Sequence, residues 1–122
     1  MTVEQLYASI GSYDEVKTRL MNDSIVARFV MKFPGDPSYG QLVCAWKDGN
    51  DEGIFRASHT LKGVCTNLSL TALHELASEI TEARRPGNDN MNGKADIDDL
   101  MEKLIKEYEF TVSMIEEFAG GQ

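Results

Sequence analysis

The chain has few of the residues that would assign it to a specialised class. Two cysteines are too few for a disulfide framework, and both lie in apolar helical patterns, so Cys44 and Cys65 read as a buried pair of reduced thiols. No apolar run approaches the length of a membrane span. The opening MTVEQLYASIG also lacks the basic, then apolar, then small-residue order of a secretory signal, so a cytoplasmic protein with no membrane association is expected. Positive charge is scarce: 12 Lys and Arg against 20 Asp and Glu give a net charge of -8, which opposes binding to nucleic acid or anionic lipid. There is no glycine-rich phosphate loop and no room for an ATP-binding domain, which excludes a kinase.

At 122 residues the chain is long enough for one domain with a core and too short for two of ordinary size, so residues 1–122 are expected to form a single domain. Apolar residues at 42% and charged residues at 26% are ordinary for a globular chain. The acidity is uneven, with eight acids against three lysines between Lys94 and Glu117, as on a solvated helix face.

Helix start signals recur. Thr2 with Gln5, Ser12 with Glu15 and Ser38 with Gln41 fit capping boxes, in which a hydroxyl and a later acid or amide satisfy free backbone NH groups. Ile25, Val26, Phe29, Val30 and Phe33 follow helical spacing until Pro34, Gly35, Asp36 and Pro37 stop it. A helix from about Tyr39 to Lys47, burying Leu42, Val43 and Trp46, breaks at Asp48, Gly49 and Asn50, and another follows to about Asn67. Ser69 can cap the next, whose inner face is Leu70, Leu73, Leu76, Ala77 and Ile80. PGNDNMNG, residues 86–93, is a loop. A long final helix then carries an apolar stripe from Ile97 to Phe118. The pattern predicts an all-α fold, an antiparallel up-down four-helix bundle with additional short N-terminal helices across one end.

Chemistry concentrates in GIFRASHTLKGVCTNL, residues 53–68. At about 100° per residue, Ile54, Ala57, Leu61, Val64, Cys65 and Leu68 fall within roughly 60° of Leu61 and form a buried stripe. His59 falls opposite, sharing its exposed face with Phe55, Lys62, Gly63 and Thr66. A neutral imidazole is a nucleophile near physiological pH, and Lys62 could offset the charge of a phosphoryl group. A glycine inside a helix costs about 1 kcal/mol relative to alanine, so Gly63 asks for a reason such as the close approach of a partner. On helix geometry alone an ordinary surface histidine in a polar stripe remains an equal reading. Phe55 reads either as docking surface or as a ring covered by a neighbouring helix, that of Trp46 or an N-terminal one.

The run SHTLKGVCTNLSLTALHELASEI resembles the signature of histidine-containing phosphotransfer (HPt) domains, with His59, Lys62, Gly63, Asn67 and Leu68 at the motif positions. Ser69 stands where many members have glycine, a turn position for which serine serves as a cap. The resemblance implies a monomeric helical bundle that is phosphorylated on His59 and shuttles phosphoryl groups between receiver-domain aspartates. Phe55, Arg56 and Thr66 would contribute to docking. Metal and most charge stabilisation would come from the receiver, so the chain is a phosphotransfer protein with no cofactor of its own. A four-helix adaptor that docks a receiver or kinase without being phosphorylated is the alternative. His74, at the flank of its helix without a following lysine and glycine, reads as structural or solvated. A metal site from Cys44, Cys65, His59 and His74 is disfavoured, because Cys65 and His59 face opposite ways.

Overall fold

A computed structural model describes residues 1–87 and 94–122, with the side chains of Lys94 and Ala95 excepted. Among the described residues seven helices follow in order: α1 Val3–Ile10, α2 Tyr13–Leu20, α3 Asp23–Met31, α4 Ser38–Lys47, α5 Asp51–Leu68, α6 Thr71–Ala83 and α7 Lys94–Gly120. A 3-10 turn at Phe33–Gly35 joins α3 to α4. No strand occurs among the described residues. The fold is therefore all-α, and α4 to α7 form an antiparallel bundle. Residues 88–93 of the sequence-predicted loop lie outside the described residues; Pro86 and Gly87 begin a turn.

The caps follow the sequence only in part. Thr2 and Gln5 make the full reciprocal box, whereas Ser12 accepts from the Glu15 backbone without the return bond. Ser38 does not cap α4. It is the first residue of the helix, buried, with its hydroxyl on the Asp36 carboxylate, and Pro37 occupies the cap position. Ser69 does not cap α6 either: it ends α5 in a left-handed conformation, φ 53°, and Leu70, at the cap position of α6, offers no side-chain cap.

The bundle closes through specific contacts. Between α5 and α6, Thr81 Oγ1 lies 2.9 Å from Ser58 Oγ and 2.7 Å from the Ala77 carbonyl, in the interior. This pair explains why Ser58, a polar residue the apolar stripe does not predict, is buried: its hydroxyl finds partners there, and an unpaired one would be costly. Between α4 and α7, Tyr39 stacks on Tyr108 with ring centroids 3.5 Å apart, and the Trp46 indole donates to Asp98 at 2.7 Å. Leu6, Leu42, Leu61, Leu73, Ile80, Leu104 and Ile115 lie in one continuous core, to which both the N-terminal helices and the bundle contribute.

Several apolar expectations fail at the edges of this core, where Val43, Trp46 and Leu76 are only half-buried. Phe29 is exposed, because α3 covers α5 and α7 with Val26 and Val30 and turns Phe29 outward. Cys44 is exposed on α4, so the thiols are free but are not a buried pair; Cys65 alone is buried. Val64 is only half-buried.

Candidate functional site

Helix α5 is anchored at both ends. The Asn50 side chain accepts from the Gly53 backbone NH at 3.0 Å, and Asp51 and Glu52 in the first turn complement the helix dipole. At the other end the Ser69 and Leu70 NH groups bond back to the Thr66 and Cys65 carbonyls. Three outside donors hold the same end: the Tyr7 hydroxyl reaches the Leu68 carbonyl at 2.8 Å, Arg19 the Asn67 carbonyl at 3.2 Å, and the Ser12 NH the Ser69 carbonyl at 3.0 Å. With Ile54, Ala57, Leu61, Cys65 and Leu68 buried, the helix cannot roll, and its outer face is presented in a fixed direction.

His59 is exposed on that face. Lys62, one turn on, is half-exposed, and a side chain built at Gly63 would meet nothing within 4 Å. Thr66 is exposed, with its hydroxyl donating to the Lys62 carbonyl at 2.9 Å. Arg56 is exposed and paired with Glu52 at 2.6 Å on the side facing α4. Phe55 is half-buried, with its ring centroid 6.0 Å from that of His59. The Arg85 guanidinium lies over the ring, 5.3 Å from its centroid. All six sequence-predicted site residues therefore lie along one helix around the imidazole.

Two neighbours from α6 and its C-terminal end are not evident from the motif. Arg85 binds the Glu82 carboxylate through both Nε and Nη2, at 3.1 and 2.6 Å. Hydrogen bonding to Arg85 is the main reason the Glu82 carboxyl is held below its ordinary range, with Lys62 and His59 adding to it. The α6 end is thus in electrostatic reach of the α5 histidine. The pair is visible as a spacing of three residues, but only the Ser58–Thr81 register brings it beside His59.

A second missed feature is an open groove of about 450 Å³ next to the C-terminal half of α5, where Leu20, Phe29 and Phe33 meet Val64 and Leu68 under a rim of Arg19 and Lys32. Asp36 also lines the groove, so Arg19 and Lys32 leave it with a single net positive charge, against the chain's net -8. His74 is half-buried on α6. Cys44, Cys65, His59 and His74 do not converge, and among the described residues no three His, Cys, Asp or Glu side chains are grouped to hold a metal. Among the described residues no helix is long and apolar enough to cross a membrane.

The family model for the Hpt domain matches residues 38–108, from the start of α4 to the middle of α7. No curated protein and no solved structure matches the chain.

Proposed function

The chain belongs to the Hpt domain family, the phosphotransfer modules of two-component phosphorelays, and on that premise we propose that His59 is the residue that takes and returns the phosphoryl group. The observation that carries this reading is the exposed imidazole on a helix fixed at both ends, with an ammonium group one turn away and a bare glycine beside it. Such a face suits a nucleophile that must meet another protein's acyl phosphate.

A neutral His59 ring nitrogen attacks phosphorus in line. The N–P bond forms as the aspartyl O–P bond breaks, the aspartate leaves as a carboxylate, and the other ring nitrogen keeps its proton. Transfer to the next receiver is the same step reversed. Lys62 places positive charge beside the phosphoryl oxygens, and Gly63 leaves room for the incoming surface. Receiver domains dock over Phe55, Arg56 and Thr66, and the apolar groove of Leu20, Phe29 and Val64 extends that face onto the N-terminal helices. Residues 1–122 act as one domain, since the N-terminal helices contribute both to the groove and to the hold on α5.

The test is incubation with a phosphorylated receiver followed by mapping of the label. An acid-labile label on His59, lost in His59→Gln with unchanged helix content, is the expected result. A label retained in that variant overturns the assignment.

A further inference from the structure

The cation over Phe55 is already engaged, and its partner is an acid that phosphorylation of His59 would crowd. Arg85 is tied to Glu82 by a bidentate bond while lying over Phe55, whose ring neighbours His59. Both side chains are accessible, at 45% for Arg85 and 55% for Glu82, so neither is locked by packing. We propose that Glu82 and Arg85 form a charge clamp that opens when His59 is phosphorylated, Arg85 leaving the Glu82 carboxylate for the phosphoryl oxygens and Glu82 opposing the phosphorylated state. The clamp rests on the reading of His59 as the phosphorylated residue.

The physical argument is competition for one guanidinium. A phosphoryl group carries up to two negative charges and three acceptor oxygens against the single charge of a carboxylate, and a guanidinium fork pairs with either. The ring stack sets the scale of the movement: Arg85 lies across Phe55, and Phe55 lies beside the imidazole. With the guanidinium 5.3 Å and the imidazole 6.0 Å from the same ring centroid, a change of Arg85 rotamers is the movement the exchange asks for. Glu82 is within the field of both Lys62 and His59, so it meets a new anion as a like charge once the imidazole is modified. The exchange breaks no covalent bond and transfers no proton. It also uncovers the Phe55 ring, so the docking face differs between the two phosphorylation states.

The probe is phosphoramidate, from which the imidazole nitrogen takes the phosphoryl group as the donor P–N bond breaks and ammonia leaves. The readout is the rate at which water returns the label to phosphate. Relative to wild type, Arg85→Gln should shorten the phosphohistidine lifetime about threefold, with Arg85→Lys restoring part of it, and Glu82→Gln should lengthen it about threefold. In the Glu82→Gln, Arg85→Gln double variant the Glu82→Gln gain should be smaller than in the single variant, because the part that comes from releasing the guanidinium is lost while the like-charge part stays. The Arg85 Nε–H resonance of the wild-type chain should shift on labelling. A Glu82→Gln gain of equal size with and without Arg85, or an unmoved Arg85 resonance, overturns the clamp. A chain that takes no label on His59 overturns instead the reading on which the clamp rests.

Discussion

Arg19 of α2 reaches across to the end of α5 and donates to the Ser69 hydroxyl at 2.7 Å. Ser69 is in the left-handed region, where a residue with a Cβ costs about 1 kcal/mol that glycine avoids. The serine makes a contact that glycine could not, and Arg19 comes from outside the stretch matched by the family model. Ser69→Gly is expected to leave stability within about 0.5 kcal/mol of wild type, because relief of strain offsets the lost bond. Arg19→Ala loses both bonds with no relief and should cost about 1 kcal/mol. Urea unfolding of the two variants checks this, and a larger loss for Ser69→Gly than for Arg19→Ala would contradict it.

Two glycines should respond oppositely to alanine. A Cβ at Gly11 would sit 2.0 Å from the Ser69 carbonyl oxygen and 3.2 Å from the Leu70 Cα, so the α5–α6 corner would have to move. Gly11→Ala should destabilise by about 2 kcal/mol or more, as overpacking against backbone does. Gly63→Ala meets nothing and should stabilise by up to about 1 kcal/mol through helix propensity. The larger Gly63→Gln should slow transfer to a receiver while leaving the fold intact. Melting temperatures together with transfer rates separate the two effects, and wild-type transfer by Gly63→Gln would remove the steric role of this glycine.

Lys62 should act on the charge of the transferred group. One partly screened contact to a phosphoryl oxygen is worth about 1 kcal/mol or a little more, so Lys62→Ala should slow transfer by roughly tenfold at saturating receiver. Phosphohistidine lifetime should shorten in parallel, with receiver affinity reduced less. Single-turnover transfer distinguishes the alternatives. An intact saturated rate with weakened binding would make Lys62 a docking residue only.

The two thiols should be separable by alkylation. Cys44 is exposed on α4, whereas burial pushes the Cys65 thiol up to about 12, leaving almost no thiolate near pH 8. Iodoacetamide should label Cys44 in the folded protein at least about a hundredfold faster than Cys65, and in denaturant the two rates should converge. Mass mapping of the native product checks this; equal native labelling would mean that α5 opens readily and is not the rigid platform described above.

The order and type of the helices, the buried stripe of α5 and the exposure of His59 were legible in the sequence because they depend on a 100° periodicity and on local stop signals. Turn chemistry was less legible. Ser38 and Ser69 look like caps in isolation, yet one is drawn into the Asp36 carboxylate and the other is fastened by Arg19 from fifty residues away. Local pattern likewise could not tell Cys44 from Cys65, since which side of a short helix meets a neighbour is set by the neighbour. Only the tertiary structure decided what surrounds the histidine. The buried Ser58–Thr81 pair fixes the register of α5 on α6 and so brings Glu82 and Arg85 beside Phe55, and the packing of α2 and α3 brings Leu20 and Phe29 against Val64. A helical sequence specifies its own faces through backbone geometry, but the neighbours of each face depend on how separate helices pack, which no single stretch of sequence contains.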